Sequence, residues 1–227
     1  MEEGDERLAP ERVEAPPHEP AVRAPGPAVG LTLALVGLYV LQIATGDPDA
    51  AASRFGFSPE AFAQGHWAGL VTALFMHGGW THVLLNALGA LAFGAPVVRL
   101  FGRGAVASAG FLLFFLLCGV GASLGFAALH PGAHVVLVGA SGAVAGFMGA
   151  ASRLIERGNH LAPFTSRTVI GMAVSWVIVN LLIAVVGLEA VSGGAPIAWE
   201  AHIVGYAIGL ALIGPAARLM RGALTKL

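Results

Sequence analysis

Long apolar runs with almost no charge dominate this chain and limit where it can fold. Residues 104–129, "GAVASAGFLLFFLLCGVGASLGFAAL", hold no charged side chain. About 20 such residues in a helix match the hydrocarbon thickness of a bilayer. Comparable segments cover 28–46, 81–101, 141–157, 167–188 and 199–219. Only 11% of the chain is charged, against roughly 25% in soluble domains. The expected fold class is therefore an all-α membrane protein, a bundle of six transmembrane helices over residues 28–220. The fourth segment is the shortest, near the limit of ~17 residues for spanning. Its richness in Gly and Ala suits the middle of the bundle, with Arg153 and Arg157 at the far interface.

The two ends differ from this core. Residues 1–27 carry seven acids, three arginines and six prolines, the composition of a disordered tail without the basic start of a signal peptide. Residues 221–227 read as a short C-terminal tail. Eleven of the twelve basic residues fall on one side of a six-span arrangement, and only Arg54 on the other. The positive-inside rule then puts both termini in the cytoplasm. The connection 47–80 becomes extracytoplasmic. Its Phe55, Phe57, Phe62, Trp67, Phe75 and Trp80 fit either a loop lying in the outer leaflet or one with a small core of its own. The net charge of −1 speaks against a nucleic-acid partner. The single cysteine, Cys118, allows no disulfide and reads as a core filler.

In such an arrangement the second, fourth and sixth segments all begin near the outer face. The second opens with His82 and Asn86, the fourth with Ser141, and the sixth carries His202 in its first turn. His82 and Asn86 are four apart and share a helix face. Polar groups within spans are costly and mark function by default. Gly142 and Gly146, with Gly149 a turn on, and Gly205 and Gly209 form small-xxx-small pairs that let two helix backbones approach. That approach would let the Ser141 hydroxyl meet the His202 ring.

A serine hydroxyl becomes a nucleophile when a base takes its proton, and a neutral histidine can do so. No carboxylate in the spans is placed to orient it; Glu200 is two residues from His202 and points elsewhere on a helix. The expectation is a Ser–His dyad with the histidine held by packing. Oxyanion donors could come from the Ser141 amide at a helix N-terminus, the Asn86 amide and a His82 ring N–H. No H-E-x-x-H motif exists for zinc, and no span holds an aspartate. Neither metal nor cofactor is expected. His130 and His134 flank Pro131 and Gly132 and read as loop residues, while His66, His77 and His160 read as interfacial or solvated. Asn180, midway along the fifth segment, is a polar residue for which a helix–helix hydrogen bond is the plain account.

The stretches "HVLLNALGALAFG" (82–94), "GASG" (139–142, opened by Gly139) and "AHIVGYAIG" (201–209) resemble, in order and spacing, the signatures of the rhomboid intramembrane serine proteases. The resemblance covers about residues 28–220. It implies a six-helix bundle with a water-filled cavity open to the outside, Ser141 as nucleophile and His202 as base. It also implies an oxyanion hole of His82, Asn86 and the Ser141 amide. Its implied substrates are transmembrane proteins cut within or beside a span, in the lipid bilayer, and a bacterial inner membrane is the expected location. Three positions depart from the family pattern. Ala68 follows Trp67 where arginine is common, Ala145 stands where an aromatic often stacks on the histidine, and Val98 stands where a glutamate often closes the second span. Other classes are a catalytically silent relative that binds transmembrane helices, and a small transporter. The presence of both Ser141 and His202 speaks against the first, and the lack of repeated halves against the second.

Overall fold

The computed structural model describes residues 24–155, 160–186 and 197–224, and every regular element among them is a helix. The order is α1 (Gly26–Ala44), the short α2 (Pro48–Phe55), α3 (Pro59–Ala63) and α4 (Gly69–Thr72), then α5 (Trp80–Phe101), α6 (Ala105–Leu129), α7 (Ser141–Ser152), α8 (Arg167–Val186) and α9 (Trp199–Leu224). Five of these, α1, α5, α6, α8 and α9, are long and apolar enough to cross a membrane. The acidic tail expected over 1–27 lies almost wholly outside the described residues. At the other end α9 stays helical through Leu224, past the expected boundary at 220.

The segment expected as a span over 141–157 is helical only to Ser152. Twelve residues rise about 18 Å, less than the ~30 Å hydrocarbon layer. The short helix is enclosed by protein: nine of its twelve residues are buried, and it packs against α5, α6, α8 and α9. A helix apolar on every side belongs inside a bundle. Phe147 is its largest anchor. Its ring stacks on Phe111 of α6 at 4.9 Å with planes 10° apart, and Phe114 and Phe115 close in beside it. Cys118 is fully buried in the same core.

Lipid tails are as apolar as the side chains, so helices in a membrane associate through close packing. The tightest packing here joins α7 to α9. A Cβ at Gly205 would overlap the Gly142 carbonyl, one at Gly209 the Gly146 carbonyl, and one at Gly149 the Tyr206 carbonyl. Three successive contacts of backbone on backbone therefore fix both the separation and the register of the two helices.

Local chemistry sets the helix ends. The Asp47 carboxylate accepts the Ala50 N–H at 2.9 Å and opens α2. The turn from α5 to α6 uses Gly102 (φ 101°) and Gly104 (φ 93°), a backbone region that disfavours side chains. The long connection before α5 is held in two ways. Phe57 and Leu137 exchange backbone hydrogen bonds of 2.9 and 2.7 Å, which stitch it to the loop after α6. Phe57 is buried, with Phe62 at 5.9 Å, while Phe55, Trp67 and Trp80 are exposed. The connection thus combines a small core with outward-facing aromatics. Its end is clamped by Gln42 of α1, whose side chain accepts the His77 N–H at 3.0 Å and donates to the His77 carbonyl at 2.9 Å.

Two stability outcomes follow from this packing. Gly209→Ala forces α7 and α9 apart and should cost on the order of 1–3 kcal/mol or more, lowering the melting temperature in detergent. Gly171→Ala on α8, where nothing lies within 4 Å, should not lower it. Equal melting of the two variants would mean that the α7–α9 contact is not the tight one. Gln42→Leu strands a buried N–H and a buried C=O, at roughly 1–3 kcal/mol each, and should lower the melting temperature by several degrees. Gln42→Glu, which keeps one acceptor for the His77 N–H, should lower it less.

Candidate active site

α5, α7 and α9 present their N-terminal ends at the same end of the bundle. Ser141 is the first residue of α7, and His202 lies in the first turn of α9. The glycine seam begins one residue beyond Ser141 and three beyond His202, so the contact that joins the helices also joins these side chains. The His202 Nε2 lies 2.8 Å from the Ser141 Oγ, within hydrogen-bond range. Both residues are partly exposed. They line a cavity of about 110 Å³ together with His82, Leu74, Leu137 and Ala198, with room for several water molecules.

The approach to Ser141 depends on Gly139. Its φ of 107° disfavours any side chain, and a Cβ there would run into the His82 ring. The Gly139 N–H donates to the Ala73 carbonyl at 2.8 Å, which ties this strand of loop to the connection before α5. His82 accepts the Gly78 N–H at Nδ1, 3.4 Å away. In a neutral ring that leaves the proton on Nε2, the nitrogen beside Gly139. Asn86 is buried, and its Nδ2 donates to the His82 carbonyl at 3.0 Å. The same Nδ2 lies against the space that a side chain at Gly139 would occupy. Asn86 is not among the residues lining the cavity, so it stands behind His82 and Gly139.

Three sequence expectations change at this site. The first concerns His202, expected to be held by packing alone. Its Nδ1 lies 3.0 Å from the Oδ1 of Asn180, which is fully buried on α8. The helix–helix hydrogen bond expected of Asn180 therefore ends on the His202 ring. The only signal in the sequence was a lone amide amid apolar residues. The second concerns the aromatic missing at Ala145. A ring stands beside His202 from α8: Trp176 lies 6.2 Å away, and its Nε1 donates to the His202 carbonyl at 3.3 Å. The third is His77, expected at an interface but only 1% exposed. It packs edge-on between Tyr39 and His82. Burial, with His82 beside it, pushes its imidazole down to about 3, so it is neutral at physiological pH.

The remaining histidines and acids stand apart from this constellation. His130, just after α6, pairs with Glu200 in the first turn of α9 at 3.1 Å, and His134 pairs with Glu60 of α3 at 2.6 Å. Glu200 thus faces His130 and does not reach His202. His66 and His160 are exposed. Among the described residues no group of three or more His, Cys, Asp or Glu side chains could hold a metal ion.

Proteins of similar sequence carry rhomboid names. YdcA of Bacillus subtilis (strain 168), whose name assigns it to the rhomboid proteases, is 30% identical over 150 residues, covering 66% of this chain and 67% of YdcA. The rhomboid protease GluP of the same organism is 35% identical over 88 residues, or 39% of this chain and 16% of GluP. The chain therefore spans about two thirds of one relative and a small part of the other. The family profile described as the Rhomboid domain matches residues 64–218, which take in α5 to α8, most of α9 and every residue lining the cavity. With five helices among the described residues long and apolar enough to cross a membrane, this multi-pass integral membrane protein belongs to the rhomboid family.

Proposed function

We propose that this chain is an intramembrane serine endopeptidase that cuts membrane proteins within or beside a transmembrane segment. The observation that carries the reading is the 2.8 Å separation of the Ser141 Oγ and the His202 Nε2 at a cavity wall. As Oγ attacks the scissile carbonyl carbon, its proton passes to Nε2. The tetrahedral intermediate then collapses, the C–N bond breaks, and His202 returns that proton to the leaving amine. Water, deprotonated by the same ring, hydrolyses the acyl-enzyme.

The developing oxyanion needs donors already in place. The Ser141 amide is one, since the first N–H groups of a helix have no carbonyl a turn back. The His82 Nε2–H is the second, and the Asn86 Nδ2, set behind Gly139 at the cavity wall, is the third. A substrate helix hides its own amides in hydrogen bonds, so the segment to be cut must unwind before attack. α7 completes a six-span bundle as its short inner member. The distribution of basic residues supports cytoplasmic termini, and the bacterial relatives support a bacterial inner membrane.

The test is cleavage of a tagged transmembrane substrate by the purified protein in detergent, beside labelling by a fluorophosphonate. Ser141→Ala should abolish labelling, and both Ser141→Ala and His202→Ala should lower kcat by about 10³-fold or more. Asn86→Ala should lower kcat by about 10²-fold, as loss of one oxyanion donor does elsewhere. A protein that binds transmembrane helices but neither cuts them nor reacts with the phosphonate would be a silent relative instead.

A further inference from the structure

We propose that Asn180 is the positioning residue for His202, so that the site works as Ser141–His202–Asn180 with a neutral amide in the third place. This rests on the protease reading above. α8 is the least buried of the long helices: among its described residues only Val169 and Asn180 are buried. Val177, Ile178, Val179, Leu181 and Leu182, all near Asn180, are exposed on its surface. One amide on so apolar a helix is costly unless it is fully bonded.

Both ends of the amide are engaged. The Nδ2 donates to the Trp176 carbonyl at 2.9 Å, and Oδ1 faces the His202 Nδ1 at 3.0 Å. The amide cannot be reversed, because a backbone carbonyl can only accept and must meet the NH2 end. Oδ1 is then an acceptor, and the ring nitrogen facing it must carry a proton. A neutral imidazole has one proton, so Nε2 is left with its lone pair directed at the Ser141 Oγ. The hydroxyl donates, and the ring is in the one tautomer that can take its proton. Without the acceptor at Nδ1, the ring can place its hydrogen on Nε2 and lose the function of a base. Asn180 therefore selects the tautomer, and when His202 becomes imidazolium the same Oδ1 accepts from the Nδ1–H. An amide does this without placing a second charge in the low-dielectric interior, where an ionised carboxylate would have to be desolvated.

The test joins two readouts. In protein carrying 15N-labelled histidine, the wild-type His202 should give the shifts of the Nδ1–H tautomer; an Nε2–H signal overturns the proposal without any variant. Asn180→Leu, of similar volume and without an acceptor, should show mixed tautomers and a kcat about 10²-fold lower, with KM within about twofold of wild type. Phosphonate labelling of Ser141 should slow in parallel. Asn180→Asp keeps the acceptor and should retain activity within about tenfold. Unchanged labelling in Asn180→Leu, or equal losses in the Leu and Asp variants, would show that Asn180 only braces α8. Failure of the protease reading is separate: wild type would then neither cut nor label, while the tautomer measurement would still judge Asn180.

Discussion

The contact of α7 with α9, glycine against backbone carbonyl, is the constraint on which the rest depends. Gly205 sits on the Gly142 carbonyl and Gly209 on the Gly146 carbonyl, so neither helix can slide or rotate without a collision. In water such a seam would be one contribution beside hydrophobic burial. In a membrane, where lipid satisfies apolar side chains equally well, close packing carries much of the helix association. The serine and the histidine stand one and three residues from the first of these contacts. Their 2.8 Å separation is the side-chain consequence of a backbone fit.

The side chains at the cavity wall and behind it share a second property. Ser141, His202, Asn180, His82 and Asn86 can all be uncharged in the resting protein. An ion buried at this depth would carry a desolvation cost of several kcal/mol unless paired. Hydrogen bonds between neutral groups avoid that cost, yet they orient each member: Gly78 sets the His82 ring, the His82 carbonyl sets Asn86, and Trp176 sets Asn180. In the proposed hydrolysis, charge would appear only on the oxyanion and on the imidazolium, beside the groups proposed to meet it. The two histidine–glutamate pairs each join a loop histidine to a helix glutamate, with all four side chains at least partly exposed.

Much of this was legible in the sequence, for reasons that can be named. Spans declare themselves by length and hydropathy, and the ends of α5 and α6 and the start of α8 lie within about two residues of where the apolar runs begin and stop. Three short motifs at corresponding helix starts pointed to one cluster. α7 was harder, because hydropathy cannot distinguish a helix that faces lipid from one enclosed by other helices. Its apolar residues continue past Ser152, while the helix stops there and Arg153 turns to bond the Ala162 carbonyl. Asn180 and His77 were harder still. Each is a lone polar residue, and its partner lies 22 positions away in the first case and on packed aromatic neighbours in the second. Periodicity along one helix carries no record of which side chain on another helix it will meet.

α8 shows how two demands meet in one element. Most of its surface is fit for lipid, and its attachment to the bundle is sparse. Two polar contacts from it nevertheless end on the same residue, Asn180 on the His202 ring and Trp176 on the His202 carbonyl. The Trp176 ring also stacks on Tyr206, one turn further along α9. Seating α8 and orienting His202 are therefore one interaction viewed from two helices. The same ring bears on Ala145. An aromatic carried on α7 would need space at a position that is now buried within the bundle, whereas Trp176 reaches His202 from α8 and leaves α7 slim enough to lie along α9. Small residues on α7 and a large one on α8 are complementary choices. They let two backbones touch while the His202 ring still has an aromatic neighbour.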